Sequence, residues 1–334
     1  MNALTTDHVL QLGFGFWASK TVLSAIELGV FSQLARSPGT LDDLQARLGL
    51  HPRSARDFLD ALVALELLGR HDGVYSNAEA TDLFFDPTKL SYIGGILEMA
   101  NAQLYGLWGS LSDSLRTGRR QDDRQDDNAF YRSFMDPQRL QMFLSGMNGL
   151  SIEPAKQIVA RFDWTSHGTF MDVSSGQGML PVLVASAYPH LEGLAFSPPQ
   201  VRPLFEDLIA RHDLLDRVRF HAGDAFRDPW PNADVIVMGY FLQFWGLARK
   251  MLLLRNAFEA LPEGGALIVY DAIIDDERRE NAWPLLASLN MLVQSPEGFT
   301  YTAADCRGWM RDAGFKATLV ERLTGIVSMV IGFK

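Results

Sequence analysis

The chain has 334 residues, 47% hydrophobic and 21% charged, so it is long enough for two domains and too apolar for general disorder. Forty acidic residues against 30 basic ones give a net charge of -10, which argues against a broad phosphate-binding surface. The single cysteine, Cys306, excludes a disulfide framework and a Cys-rich metal cluster.

The opening MNALTTDHVLQLGFGFW lacks the basic segment and cleavage pattern of a secretory signal. No run of about 18 apolar residues reads as a bilayer span. The expectation is a soluble, cytoplasmic protein with no membrane, nucleic-acid or metal partner. Val22, Leu23, Ile26, Val30 and Leu34 share one face of a helix expected over Lys20–Ala35. Thr40 and Asp43 stand at capping-box spacing at the start of a second helix. A third runs from about Pro52 to Leu68 with Phe58, Leu62, Leu65 and Leu68 inward, and Gly69 stops it. LGRHDGVYSN then reads as a hairpin turning at Asp72-Gly73. Three helices and a β-wing make a winged helix. Its third helix carries Arg53 and Arg56 but also Asp57, Asp60 and Glu66, a poor surface for tracking DNA phosphates. Dimerisation and a substrate lid suit it better.

An apolar helix is expected near residues 90–117, then an exposed polar connection, RTGRRQDDRQDDN, and another helix over Asn128–Phe162. From Thr169 the pattern alternates. TFMDVS, LEGLAFS, RVRFHAGD, ADVIVMG and GGALIVYDAII read as strands with helices between them, and FKATLVERL with IVSMVIGF reads as a closing hairpin. The alternation predicts a doubly wound, largely parallel α/β sheet. Ligands bind such sheets at the carboxyl ends of the strands, where Asp172, Ser197, Asp224, residues 239–246 and Asp271 fall.

From QLGFGFWASK through FMDVSSGQG and YDAIIDD to SMVIGF, the chain resembles the small-molecule O-methyltransferases that use S-adenosylmethionine (SAM). The resemblance implies an α/β class I methyltransferase Rossmann-like sheet behind an N-terminal all-α winged-helix dimerisation domain. It places the dimerisation domain at 1–95, a helical linker and substrate lid at 96–165, and the methyltransferase-like domain at 166–334. A homodimer follows, in which His8 on the N-terminal helix could approach the partner's site. In the family a loop close to D-x-G-x-G-x-G lets the backbone approach the cofactor. Here it reads Asp172-Val173-Ser174-Ser175-Gly176-Gln177-Gly178. The acidic residue, Gly176 and Gly178 are kept, while Ser174 replaces a glycine and is tolerable if its φ is negative. A plain strand-to-helix turn is the alternative. Ser197 stands where the family has a carboxylate for the ribose hydroxyls. Losing a charge-assisted bond of about 1.5–3 kcal/mol weakens SAM about ten- to hundredfold. Asp224 matches the residue beside the adenine and equally suits a cap; Phe226 lies near the adenine or in the core.

The family's basic histidine belongs to a motif close to H-D-W, which here reads Gln243-Phe244-Trp245. Glutamine can donate a hydrogen bond but cannot take up a proton. Asp271, where the family has a glutamate that orients the histidine, could serve as base, and Tyr240 as donor or wall. Phe16, Trp17, Met147, Phe244, Trp245, Asn290 and Met291 suit a flat, apolar substrate, although core packing explains many of them equally well. Change concentrated at the site, on a preserved frame, favours first a repurposed enzyme of natural-product metabolism, performing cyclisation, pericyclic rearrangement, dehydration or isomerisation. The alternative is an active SAM-dependent O-methyltransferase on an acidic or pre-ionised aromatic or polyketide-like hydroxyl. A non-catalytic partner subunit is the third.

Overall fold

The computed structural model describes residues 5–89, 91–121 and 136–334. They form two compact units that divide between Tyr105 and Gly106.

In the first unit, the single helix expected over Lys20–Ala35 is two, Gly15–Glu27 and Val30–Arg36. Gly29 between them takes φ 72°, a conformation that stops a helix. The helix Leu41–Leu48 opens with the expected capping box: Thr40 Oγ1 accepts from the Asp43 N–H, and the Asp43 carboxylate accepts from the Thr40 N–H. The next helix, Pro52–Ala64, ends earlier than its apolar pattern suggests, because Glu66 turns the chain at φ 60°. Leu65 is consequently exposed rather than inward, and Leu68 and Gly69 belong to a strand.

That strand, β2 (Leu68–His71), pairs with β3 (Val74–Asn77) across Asp72 and Gly73, whose φ values of 48° and 77° suit a two-residue hairpin. β1 (Gly39–Thr40) joins the far side of β3 and completes a winged helix. The apolar segment near 90–117 is interrupted. Gly94–Met99 runs into a π-helical turn at Ala100–Leu104, and Leu111–Thr117 follows a 3₁₀ turn. The polar connection after Gln121 lies outside the described residues.

The N-terminal helix Thr6–Gly13 buries none of its residues. Leu12, Phe16 and Trp17 are exposed, and the Phe14 and Trp17 rings lie tilted against each other with centroids 4.5 Å apart. Thr6–Glu27 as a whole is long and apolar enough to cross a membrane by length and composition alone. That corrects the expectation that no such segment exists. The stretch is two abutting helices joined at Phe14, mixed with enough polar residues to hide the run from a count of consecutive apolar positions.

The second unit, which already includes the Leu111–Thr117 helix, continues among the described residues with a long helix, Pro137–Arg161, capped by Asp136, which accepts from the Gln138 and Arg139 N–H groups. Seven strands follow: β4 (Thr169–Val173), β5 (Glu192–Ser197), β6 (Val218–Ala222), β7 (Val235–Gly239), β8 (Ala266–Asp271), β9 (Ala317–Arg322) and β10 (Ser328–Phe333). They lie in the order β6-β5-β4-β7-β8-β10-β9. β4 to β8 pair in parallel, and β10 runs antiparallel between β8 and β9. This is the α/β class I methyltransferase sheet the sequence implied.

All six residues of β8 are buried, as a strand covered by helices on both faces requires. One core packs Leu140, Ile158, Trp164 and Phe205 against the sheet; the other packs Leu253, Leu254, Cys306 and Met310. Chain direction out of β4 reverses between β5 and β7, its two neighbours, so the strand ends part there and leave a crevice.

Candidate active site

The crevice is lined from three directions. The ends of β4 and β5 bring Asp172, Ser174, Ser175, Gly176, Gln177 and Ser197. β7 and β8 bring Gly239, Tyr240, Phe241, Phe244 and Tyr270. The Pro137–Arg161 helix lays Phe143, Met147 and Ser151 along it, with Leu144 and Asn148 beside them. Those positions are four apart and share a helix face. Counting its open mouth, the cleft encloses about 710 Å³ of space.

The β4 loop is the most constrained part of this wall. Gly176 and Gly178 take φ 58° and 98°. A Cβ on Gly178 would sit 2.6 Å from the Phe205 ring, so that glycine serves close packing behind the cleft and does not line it. Ser174 takes φ 61°, so the negative φ on which an easy fit of serine depended is not adopted. Its N–H donates to Phe196 O at 2.9 Å and locks the left-handed turn in place. A non-glycine residue in that region costs roughly 1–2 kcal/mol.

Asp172 is only 5% exposed, and its carboxyl group has no hydrogen-bond partner among the described residues. Burial holds its pKa well above the ordinary carboxyl value. Such a group is expensive to keep unless a ligand meets it. The Ser175 N–H donates to Ser197 Oγ at 3.2 Å, and the two hydroxyl oxygens lie 3.4 Å apart. Ser175 and Gln177 had no special signal beyond their place in the loop.

The other cofactor candidates are not in the cleft wall. Asp224 Oδ1 accepts from the Phe226 N–H at 2.9 Å within a turn; no helix starts there, which corrects the helix cap that was its alternative. Phe226 packs on Trp245 with ring centroids 4.6 Å apart. Among the catalytic candidates only Tyr240 lines the cleft. It takes φ 49°, and its buried hydroxyl is held well above the usual phenol range, by burial first and the Asp271 charge second. Its neighbour must be glycine: a Cβ on Gly239 would lie 2.0 Å from the Tyr270 ring.

Gln243 is buried beside that wall but does not line it. Asp271 lies deeper still, 1% exposed, with Oδ2 accepting from the Tyr301 hydroxyl at 2.5 Å and Oδ1 unpaired. Burial raises its pKa to about 7, against the pull of Tyr301 and of the Lys250 charge.

Of the substrate candidates, Met147 and Phe244 line the cleft. Trp245 and Met291 are core residues, and Asn290 Oδ1 is occupied by the Trp108 indole N–H at 3.0 Å. Phe16 and Trp17 belong to the other unit, where they are exposed. No group of His, Cys, Asp or Glu fit to hold a metal ion occurs among the described residues.

A glycine-containing loop at the end of the first parallel strand, over a crevice at the switch point, defines a class I methyltransferase domain. The family follows from sequence comparison. An O-methyltransferase domain matches residues 108–316, and an O-methyltransferase dimerisation domain matches residues 10–87. The chain belongs to this O-methyltransferase family.

It is 39% identical to the tetracenomycin polyketide synthesis 8-O-methyl transferase TcmO of Streptomyces glaucescens, over 98% of this chain and 96% of the relative. It is 33% identical to the N,N-dimethyltransferase OxyT of Streptomyces rimosus, over 96% and 93%. Among solved structures, PigF with SAH superposes with a TM-score of 0.88 at 26% identity, covering 99% of this chain and 100% of that one. Human N-acetylserotonin methyltransferase in complex with SAM superposes with a TM-score of 0.90 at 24% identity, over 100% and 99%, and shows the shared fold. These relatives are methyltransferases, and none supports the non-methylating chemistry favoured by the altered motifs alone.

Proposed function

We propose that the protein is a SAM-dependent O-methyltransferase acting on an acidic hydroxyl of a flat, aromatic, polyketide-like metabolite. The unpaired, buried Asp172 at the mouth of the glycine-containing loop carries this reading. A carboxyl group without a protein partner in a cleft fits a cationic ligand, and Gly176 leaves the adjoining backbone bare. The residues present therefore fit SAM at its charged end. Ser197 and Ser175 offer the ribose hydroxyls instead of a carboxylate. Asp172, Ser174, Gly176 and Ser197 would hold the cofactor, with Gly178 supporting the loop from behind. When bound, SAM supplies an electrophilic sulfonium methyl group.

The apolar wall of Phe143, Met147, Tyr240, Phe241 and Phe244 orients the acceptor and excludes water. Gln243 cannot accept the acceptor's proton, and Asp271 is shut away with Tyr301. The acceptor therefore arrives already ionised, as an acidic phenol or enol does near neutral pH. The polyketide synthesis named for TcmO supports an aromatic, polyketide-like acceptor. Residues 1–95 are proposed to dimerise two copies through the exposed Phe14, Phe16 and Trp17 surface, and residues 96–165 to cover the substrate.

Purified protein, methyl-labelled SAM and a panel of polyhydroxylated aromatics test this reading, with products identified by mass spectrometry. Label should appear on the most acidic hydroxyl. The rate should rise with pH through the acceptor's own pKa, differing from one acceptor to another. No methylated product from any acceptor, despite SAM binding, would sink it.

A further inference from the structure

Lys250 is 0% exposed although its side chain ends in an amine, and it lies outside the cleft lining. It stands in the Leu247–Ala260 helix, behind the wall formed by Tyr240, Phe241 and Phe244. Its Nζ donates to Trp245 O at 2.7 Å and to Phe299 O at 2.9 Å, and sits 3.3 Å from the Phe299 ring centroid. One ammonium thus joins the end of the wall segment to the chain around Phe299. The same seam is closed a second time. Ser295 Oγ donates to Phe244 O at 3.1 Å and accepts from the Gly298 N–H at 2.9 Å. A Cβ on Gly298 would fall 2.8 Å from Gln243 O, so the two segments are in backbone contact.

A buried ammonium is costly, and an apolar side chain of like volume would fill the space more cheaply. What an apolar side chain cannot do is satisfy two buried carbonyls that belong to different segments. Burial draws the Lys250 pKa down to about 7, and the charge of Asp271 opposes that fall.

We propose that Lys250 is a positioning residue, locking the Tyr240–Trp245 wall against the Phe299 segment so that the acceptor ring is held in line with the methyl donor. The inference rests on the methyl-transfer reading for its kinetic consequence and on geometry alone for its mechanical one.

Lys250→Met, which keeps the length and removes the donors, and Lys250→Gln, which keeps a donor without charge, test it. Hydrogen exchange should be at least tenfold faster across 240–250 and 295–301 and unchanged across 169–201. Affinity for S-adenosylhomocysteine should stay within threefold by calorimetry. kcat should fall at least tenfold with the KM for SAM unchanged, and Gln should retain more activity than Met. Unchanged exchange, unchanged kcat, or loosening of all segments alike would overturn the proposal.

Should neither variant fold, carbon-13 lysine spectra of the wild-type protein decide. A Lys250 ε-methylene signal shifted by the Phe299 ring, and moved by a dihydroxyanthraquinone probe but not by S-adenosylhomocysteine, supports it. A signal indifferent to the probe overturns it. A wild-type protein that methylates nothing defeats the functional reading instead, and the exchange result still decides the role of Lys250.

Discussion

Ser174 shows backbone strain held in the loop proposed to bind the cofactor. Its φ of 61° is a conformation glycine adopts freely and serine does not. Ser174→Gly should therefore raise stability in urea by about 0.5–1 kcal/mol, the relieved strain less the entropy glycine loses on folding. Binding of S-adenosylhomocysteine should be preserved. Asp172 poses a different question. Burial pushes its carboxyl pKa well above the ordinary value in the free protein, and a cationic ligand favours the ionised form. SAM binding should release a proton and tighten as pH rises. Calorimetry in two buffers of unlike ionisation heat measures that proton, and Asp172→Asn should abolish it. At Ser197 an aspartate would restore a bidentate acceptor, so Ser197→Asp should tighten SAM roughly ten- to hundredfold. An unchanged affinity would mean the ribose does not lie there.

At the scale of elements, β8 illustrates how alternation sorts chemistry. Tyr270 faces the cleft, while the next residue, Asp271, points into the layer with Tyr301. The folded value of Asp271, about 7, lies above the ordinary 3.8. Its favourable contribution is complete below the ordinary value and is lost as pH rises through about 7. Asp271→Asn should gain on the wild type over that interval by about 4 kcal/mol, followed by denaturant titration at several pH values.

The strands, their order of appearance and the capping box at Thr40 were legible because each depends on neighbours within a few residues. The break at Gly29 and the early end of the Pro52–Ala64 helix were not, because apolar periodicity continues through both while the backbone turns. Nor could the sequence reveal that Asn290 is taken by Trp108, a partner 182 positions away.

For the whole molecule, the family match to a dimerisation domain and the exposed aromatic face of residues 14–17 point the same way. Trp17→Glu should shift the protein towards monomer in sedimentation velocity while the far-ultraviolet spectrum is retained; a dimer unchanged in stability would place the interface elsewhere. The apolar residues of that face also contribute to the hydropathy by which Thr6–Glu27 is apolar enough to cross a membrane, and little of the segment is buried in the single chain.

The amino-acid sequence by itself determined the two-part layout, the sheet, the strand ends at which ligands bind, and the absence of a histidine at the expected base. Local periodicity and short motifs encode those features. Only the tertiary structure decided that Ser174 is left-handed, that Asp172 is unpaired, that Asp271 is withdrawn from the cleft, and that Lys250 joins two distant segments. These follow from burial and from contacts between residues far apart in the chain, which no local pattern records.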